Sequence, residues 1–392
     1  MAILVQKYGG SSVADVEKIG HVADRVVAAR QAGDDVVVVV SAMGKTTDSL
    51  LALAKSVHAD APRRELDMLV STGERVTMAL LSIAIHARGC DAISFTGSQS
   101  GIITNDRHFD ARILEVRPHR IEDELARGRI VIVAGYQGMS YRREITTLGR
   151  GGSDTTAVAL AAALGAVRCE IYSDVDGVYS ADPRVVPDAR HLPEVDLASL
   201  QEMAEAGAKV LNAQAVEWAR RAKIAIHARK TSDPVGGGSE TVAVESPEPK
   251  NVRVVVGLDR VVSARFPPEE LRTFAEVAAQ LDVPLLDVAW TPAGGTCAIP
   301  LANVPDWGAR RGKLEERVRG LVLEVDVALA SIVGDGLTTG SRALPRFLAV
   351  LGEAGIAARA VHASPLRIAA TIESGRLADA QRALHAAFVV ER

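Results

Sequence analysis

The sequence contains little of what secreted, nucleic-acid-binding or membrane-spanning proteins rely on. Only three of its 392 residues are cysteine, and their odd number and uneven spacing suit neither a disulfide framework nor a metal-binding set. A formal net charge of -4 provides no basic surface for DNA or RNA. Aromatic residues make up 4% of the chain, and its three tryptophans lie far apart, which argues against a row of rings for stacking bases.

Long apolar stretches and targeting segments are also missing. No apolar run is long and uninterrupted enough to cross a bilayer, and no signal peptide precedes the first strand-like run, residues 2–6. Together with the few cysteines, this predicts a cytoplasmic protein without a nucleic-acid or membrane partner. The 48% hydrophobic and 24% charged content is ordinary for a globular protein, and the length suits two or three domains.

Strand-like runs alternate with helical patterns over the first half of the chain. The valine-rich run DDVVVVVSAMG (34–44) is typical of a strand buried on both faces, as in a mostly parallel sheet covered by helices. Several such runs end in glycine, and ligands of these sheets gather beyond the carboxyl ends of the strands. The predicted fold class is therefore α/β, with binding loops at the strand ends.

A segment rich in Gly, Ser, Pro and Glu, TSDPVGGGSETVAVESPEPK (231–250), separates two parts with different patterns. After it, strands and helices follow in an order that fits two small β-α-β-β-α-β-like units. We therefore predict an α/β domain over 1–233, a linker over 234–250, and two α+β modules over 251–325 and 326–392.

The segment TTLGRGGSDTTAVALAAALGA (146–166) places an arginine between glycines and a Ser-Asp pair directly before a helix. Glycine allows close approach to a ligand, N–H groups at a helix start attract anions, and a guanidinium can grip a carboxylate or phosphate with two hydrogen bonds. The segment is an anion-binding candidate, with a capped helix after a flexible turn as the alternative. No G-x-x-x-x-G-K-[ST] motif occurs, and no G-x-G-x-x-G opens the first helix.

Six polar or glycine-rich motifs follow one another along this half of the chain. They are KYGGSSVAD (7–15), VVSAMGKTTD (39–48), STGERV (71–76), TTLGRGGSDTT (146–156), YSDVDGVYSADPR (172–184) and GAKVL (207–211). In order and content they resemble the motifs of the aspartate kinases, members of the amino-acid kinase family, over about residues 3–212. The resemblance implies an amino-acid kinase fold and phosphoryl transfer from Mg-ATP to the side-chain carboxylate of L-aspartate, giving 4-phospho-L-aspartate.

The two residues that the resemblance places in catalysis are Lys7 and Asp154. An aspartate side chain, with a reference pKa of ~3.9, is ionised at neutral pH and needs no general base, but it must approach a negatively charged triphosphate. Lys7, beside Gly9 and Gly10, is expected to neutralise the transferring phosphoryl group; alone it would be an ordinary strand-end lysine. Asp154 either orients Lys7 or receives the substrate ammonium, with first-turn charge against the helix dipole as the alternative.

The remaining expected ligand contacts divide between aspartate and ATP. Arg150 is expected to clamp the substrate α-carboxylate and Glu74 to bind its ammonium group, although Glu74 could instead cap its helix. The other residues expected to line the aspartate site are Ser41, Thr47, Tyr136 and Ser153, whose hydroxyls could equally serve turns or caps. The residues expected to bind ATP, besides Lys7, Gly9 and Gly10, are Ser173, Asp174, Tyr179, Arg184 and Lys209. Mg²⁺ is expected with ATP, and no protein residue is assigned to it.

The second half resembles the paired ACT modules of these kinases, ferredoxin-like units that bind end-product amino acids and often mediate dimer contacts. Gly340 retains part of one effector-binding turn, but Ala357 stands where relatives usually carry an asparagine, and it has no amide to offer. The resemblance thus implies a homodimer through these modules, with weak or absent feedback inhibition by lysine or threonine. After GAKVL, the residues NAQA depart from the usual His-Pro or Gln-Pro continuation.

Two other functions remain open from the sequence. One is a kinase for an aspartate analogue in a specialised pathway, although Glu74 and Arg150 suit aspartate itself. The other is a catalytically silent subunit that binds amino acids and regulates a partner, which predicts damage to Lys7 or Asp154, yet both residues are intact.

Overall fold

A computed structural model describes residues 2–208, 210–234, 237–245, 253–339 and 342–390. The chain divides into two compact units, and each unit is made of three separate segments of the sequence. The first unit comprises Met1–Val178, Leu192–Gln201 and Val210–Pro247, and the second comprises Tyr179–His191, Glu202–Lys209 and Glu248–Arg392. The linker predicted over 234–250 stays a prediction: residues Glu240–Val244 within it form a strand, and residues 235–236 and 246–250 lie outside the described part.

Helices and strands are interspersed through the first 245 residues. In chain order they are β1 (Ile3–Tyr8), α1 (Val16–Gln31), β2 (Asp35–Val40), α2 (Thr46–Val57), α3 (Arg63–Val70), α4 (Thr72–His86), β3 (Ala92–Phe95), β4 (Ile102–Thr104), β5 (Ile113–Val116), α5 (His119–Ala126), β6 (Ile130–Ala134), β7 (Gln137–Ser140), β8 (Ile145–Thr147), α6 (Gly152–Ala163), β9 (Arg168–Ser173), β10 (Val178–Tyr179), β11 (His191–Leu192), β12 (Glu194–Asp196), α7 (Leu197–Glu205), α8 (Ala213–Ala222), β13 (Ile226–Lys230) and β14 (Glu240–Val244).

An eight-stranded sheet forms the centre of the first unit, with the order β12-β14-β13-β9-β1-β2-β6-β3. The strands from β13 to β3 in this order pair in parallel, whereas β14 runs antiparallel to β13. The valines of β2, Val36–Val40, are completely buried because helices cover both faces of the sheet. The predicted mostly parallel α/β sheet is confirmed.

The first unit also contains a smaller sheet with the order β5-β4-β7-β8, in which β4 and β5 precede β6 in the chain and β7 and β8 follow it. Strands β7 and β8 form an antiparallel pair, so the chain leaves the large sheet after β6 and returns at the start of α6. Two of the candidate site residues stand at these two junctions, namely Tyr136 before β7 and Arg150 after β8. The small sheet therefore sets the separation of these two residues.

The second unit is built on a six-stranded antiparallel sheet. Its elements are β15 (Val254–Phe266), α9 (Leu271–Gln280), β16 (Leu286–Thr291), β17 (Gly294–Pro300), α10 (Trp307–Arg317), β18 (Val322–Val333), α11 (Ala343–Glu353), β19 (Ala360–Ala363), β20 (Arg367–Glu373) and α12 (Leu377–His385). The strand order is β16-β17-β15-β18-β20-β19, with the long strands β15 and β18 paired at its centre. The predicted boundary between residues 325 and 326 falls inside β18, so the two α+β halves share this strand.

The two edges of this sheet approach each other at a cluster of charged side chains. Asp287 lies in a bulge of the edge strand β16 with a φ of +52°, and it forms a buried ion pair with Arg367, the first residue of β20. His362 of the other edge strand, β19, lies 3.9 Å from the same carboxylate, and Glu202 of α7 lies 3.6 Å from Arg367. The sheet is therefore strongly curved, and this charged cluster joins its two edges.

One helical stretch among the described residues, Arg63–His86, is long and apolar enough to span a membrane by length and composition alone. Six charged residues lie within it, so it is not the uninterrupted apolar run that the sequence analysis found to be missing. The stretch comprises α3 and α4, and it carries Asp67 and Glu74 with their side chains buried inside the first unit. Core helices pass the same test, so these two criteria do not establish a membrane span.

Candidate active site

Lys7 and Asp154 meet where the end of β1 faces the start of α6. The Lys7 Nζ atom lies 2.6 Å from Asp154 Oδ1, and both residues are more than nine-tenths buried. Asp154 stands in the first turn of α6, a helix whose first ten residues are all buried. The ion pair fixes the lysine amine at the sheet end, where the positive end of the helix dipole adds to its charge.

The glycines after Lys7 allow two loops to lie against each other. A Cβ atom on Gly10 would come within 2.9 Å of the Ala42 carbonyl oxygen and 3.0 Å of the Gly44 carbonyl oxygen. The Gly44 N–H in turn donates a 3.0 Å hydrogen bond to the Gly10 carbonyl. A Cβ on Gly9 would lie 3.4 Å from Lys7 Nζ. Gly9 thus leaves the space beside the lysine amine open, whereas Gly10 is required by loop packing.

Glu74 is a buried carboxylate in the first turn of α4. Its Oε1 atom accepts a 3.1 Å hydrogen bond from the Ala42 N–H, while Oε2 is buried without a hydrogen-bond partner. Only 3% of the residue is exposed, and this burial raises the pKa of the carboxyl to about 7. An ammonium group at Oε2 would supply the missing partner and stabilise the charged form. Ser41, directly before Ala42, is half-buried at the end of β2.

Tyr136 lies on the other side of the α6 start. Its φ of +69° is unusual for a residue with a side chain, and its N–H donates to Thr156 Oγ1 over 3.1 Å. A Cβ on the preceding Gly135 would come within 2.8 Å of Ser153 Oγ, so this backbone lies directly against the Ser153 side chain. Burial holds the pKa of Tyr136 well above its usual range, which keeps the phenol neutral.

Asp67 supports this region from α3, and the sequence analysis did not identify it. Its fully buried carboxylate accepts hydrogen bonds from Thr147 Oγ1 at 2.5 Å and from the Phe109 N–H at 3.1 Å, and His108 Nδ1 lies 2.6 Å away. Burial raises the pKa of Asp67, against the opposing effect of these donors. The only signal in the sequence is an acidic residue between the buried Leu66 and Val70 of an amphipathic helix.

Arg150 projects from a loop with two left-handed glycines. Gly149 and Gly151 both have a φ of +74°, a conformation that disfavours any other residue. The Arg150 side chain is 60% exposed, and its Nη2 atom lies 3.6 Å from Asp48 Oδ1 in the first turn of α2. Thr47, next to Asp48, is half-buried. The loop therefore presents the guanidinium beside the turn that carries Thr47.

The residues predicted to bind ATP fall into three groups. In the first unit, Ser173 is the last residue of β9 and Asp174 follows it. The Ser173 carbonyl accepts 2.9 and 3.0 Å hydrogen bonds from the Thr231 N–H and Oγ1. Tyr179 and Arg184 belong to the second unit. There, Tyr179 packs edge-to-face on His191, and Arg184 binds both carboxylate oxygens of Asp182. Lys209 lies outside the described residues.

The first unit also brings together a hydroxyl cluster that the sequence did not predict. Ser12 Oγ lies 2.6 Å from Thr231 Oγ1, which joins the loop after β1 to the ends of β9 and β13.

No group of three His, Cys, Asp or Glu side chains with metal-binding geometry occurs in the described part of the chain.

Comparison with known proteins identifies the family to which these features belong. Residues 2–229 match the family model of the Amino acid kinase family. The aspartokinase of Mycolicibacterium smegmatis is 44% identical over 99% of this chain and 96% of its own length, and that of Bacillus sp. (strain MGA3) is 40% identical over 99% and 97%. The chain belongs to the aspartokinases.

Two solved aspartokinases have the same fold as this member of the family. E. coli aspartokinase III in complex with aspartate and ADP superposes with a TM-score of 0.86 at 24% identity, covering 99% of this chain and all of that one. The Synechocystis aspartate kinase superposes with a TM-score of 0.56 at 35% identity, and the match covers 99% of this chain and 69% of that one. The predicted family, fold class and enzyme class are confirmed, whereas the roles of individual site residues stay predictions.

The buried Glu74 carboxyl predicts a pH dependence of aspartate binding to this aspartokinase. Because its pKa is about 7, the group is largely neutral in mild acid and attracts an ammonium only once it ionises. We expect KM for aspartate to rise several-fold from about pH 8 to about pH 6, with KM for ATP changing less than about two-fold. Steady-state kinetics at both pH values will test this, and Glu74→Gln should have a high KM for aspartate at both.

Protein stability provides the control for this assignment. The unfolded carboxyl titrates near 4.5, so between that pH and about 7 the folded state binds more protons, and the free energy of unfolding falls as pH rises. Glu74→Gln should therefore be more stable than wild type at about pH 8 without aspartate, by up to about 3 kcal/mol, and no more stable at about pH 4. A loss of stability in this variant at both pH values would contradict the assignment.

Proposed function

We propose that this protein transfers the γ-phosphoryl group of ATP to the side-chain carboxylate of L-aspartate, giving 4-phospho-L-aspartate. The observation that carries the proposal is the buried Lys7–Asp154 ion pair, 2.6 Å long, at the junction of β1 and α6. The similarity to aspartokinases over nearly the whole chain supports it, as does the fold shared with a relative whose structure contains aspartate and ADP.

The chemical problem in this reaction is repulsion between anions. The nucleophile, an aspartate side chain, is ionised at neutral pH and attacks a phosphorus atom surrounded by negative oxygens. A fixed ammonium lowers this barrier because it is already in place when charge develops on the phosphoryl oxygens. Asp154 holds Lys7 for that task, and Gly9 leaves the neighbouring space free of side chains.

Selection of aspartate follows from two charges of opposite sign. Glu74 offers the unpartnered Oε2 atom to the substrate ammonium, and Arg150 offers its guanidinium to the α-carboxylate. The hydroxyls proposed to line the space between them belong to Ser41, Thr47, Tyr136 and Ser153. With both ends of the amino acid bound, the side-chain carboxylate is left for the phosphoryl group.

ATP and Mg²⁺ complete the proposed reaction. Ser173 and Asp174 at the end of β9 are proposed to contact the nucleotide, together with Tyr179, Arg184 and Lys209. Mg²⁺ typically binds phosphate oxygens and water with one or two carboxylates, which fits the absence of a three-ligand cluster in the described residues. When bound, the metal would neutralise phosphate charge.

Trapping of the acyl phosphate tests the proposed reaction. Hydroxylamine converts an aspartyl phosphate to a hydroxamate, and we expect wild-type enzyme to form it only with ATP, Mg²⁺ and L-aspartate. Lys7→Ala should lower kcat by at least about 100-fold, because a positioned charge in the transition state is lost. Lys18→Ala is the matched control, since Lys18 is a half-exposed surface lysine and should keep wild-type activity.

The same assay separates the proposal from its alternatives. If wild-type enzyme binds ATP and forms product from an aspartate analogue but no hydroxamate from aspartate, the analogue is the substrate and aspartate is not. ATP binding without product from either would indicate a regulatory subunit. Equal kcat in wild type and Lys7→Ala would remove Lys7 from the mechanism.

We also propose that feedback inhibition by lysine or threonine is weak or absent. Ala357 lies exposed after α11, where the family resemblance expects a side-chain amide, and alanine cannot donate or accept the hydrogen bonds that such a site requires. Gly340, the other residue of this prediction, lies outside the described residues. Titration calorimetry with each amino acid should show no saturable heat below about 1 mM, a limit of about -4 kcal/mol in binding free energy. Saturable binding that also inhibits hydroxamate formation would contradict the proposal.

A cytoplasmic homodimer formed through the second unit is proposed as the assembly. Val288 and Trp290 on the edge strand β16 are each about half exposed, which suits contact with a second copy better than with water. Sedimentation velocity should give a dimer at micromolar concentration, and Trp290→Glu should shift it toward monomer. A monomeric wild type under these conditions would contradict this assembly.

A further inference from the structure

Asn212 stands in the segment that departs from the usual continuation after GAKVL, and it contacts the Arg150 loop. It is the N-cap residue of α8, where its Oδ1 atom accepts a 2.8 Å hydrogen bond from the Gln214 N–H. The same oxygen accepts from Thr155 Oγ1 over 3.1 Å. On its other side, Asn212 Nδ2 donates a 2.7 Å hydrogen bond to the Arg150 carbonyl oxygen. One side chain thus joins the start of α8, the first turn of α6 and the loop before α6.

The orientation of the Asn212 amide follows from its partners. The Gln214 N–H can only donate and the Arg150 carbonyl can only accept. Rotating the amide by half a turn would set donor against donor at α8 and acceptor against acceptor at Arg150. The amide orientation is therefore determined by chemistry, and both ends of the side chain are used.

The Arg150 loop is held by backbone hydrogen bonds, such as the 3.0 Å bond from the Gly152 N–H to the Gly149 carbonyl, and by contact with Asn212. Its flanking residues, Gly149 and Gly151, have no side chains, and the Arg150 side chain is 60% exposed. A Cβ on Gly151 would come within 2.8 Å of Asn212 Cβ, so the loop backbone lies directly against the asparagine. Packing and a hydrogen bond from Asn212 thus restrict the peptide that carries the Arg150 side chain.

We propose that Asn212 is a positioning residue for substrate binding, which fixes the Arg150 peptide so that the guanidinium meets the α-carboxylate of aspartate. The inference rests on the proposed function, in which Arg150 is the carboxylate clamp. Displacement of a bidentate clamp by a fraction of an ångström weakens both of its hydrogen bonds, so loss of the tether lowers affinity for aspartate. ATP binding does not involve Arg150 and is unaffected.

Two substitutions separate this tether from the helix cap. Asn212→Asp keeps an acceptor for the Gln214 N–H but sets an oxygen against the Arg150 carbonyl, and Asn212→Ser keeps a neutral cap but is too short to reach that carbonyl. We expect both variants to raise KM for aspartate about ten-fold, with kcat within about three-fold and KM for ATP within about two-fold of wild type. Their thermal midpoints should stay within a few degrees of wild type, because the cap is retained. If Asn212→Asp and Asn212→Ser raise KM for aspartate to a similar extent, the cause is the lost hydrogen bond to the Arg150 carbonyl and not the added charge.

Arg150→Ala provides the decisive comparison. In that background, Asn212→Ser should raise KM for aspartate no further, since the tether has no guanidinium left to position. The inference is overturned if both Asn212 variants leave KM for aspartate unchanged while Arg150→Ala raises it. It is also overturned if KM for both substrates and the thermal midpoint change together, or if the two substitutions are additive. Failure of the proposed function is distinguishable, because wild type would then form no aspartyl hydroxamate, or Arg150→Ala would bind aspartate normally.

Discussion

The buried ion pair between Lys7 and Asp154 is the interaction on which the catalytic unit depends. Two charges removed from water are tolerated only when each compensates the other, so β1 and α6 must meet in one register. Helix α6 is buried over its first ten residues because its sequence is apolar nearly all round, and the glycines before it allow the chain to turn sharply into the core. The rest of the site is arranged around this fixed junction, with Glu74 on one side and Tyr136 on the other.

The proposed substrate side of the site combines buried and exposed side chains. Glu74 and Tyr136 are held by buried backbone hydrogen bonds, whereas Arg150 is exposed on a loop between two left-handed glycines. The tether proposed for Asn212 acts on this loop from behind, through its hydrogen bond to the Arg150 carbonyl.

Much of the fold and part of the site could be predicted from the sequence, because they depend on local patterns. The valine run predicts a strand buried on both faces, and the glycine loops predict the strand ends that bear Lys7 and Arg150. Asp67 could not be predicted, since nothing local distinguishes a buried acid from an exposed one on a short amphipathic helix. Asn212 could be recognised only as a departure from family pattern, because its partner lies 62 residues earlier in the chain.

The strand shared by the two α+β halves has a consequence for how this part of the protein can be divided. Strands β15 and β18 pair along most of their length at the centre of one sheet, and β18 ends one half while it begins the other. Either half produced alone would expose a long unpaired edge that invites aggregation. Neither half is therefore expected to fold or to be transplanted without the other, and insertions should be tolerated at the loops of the pair and not at its middle.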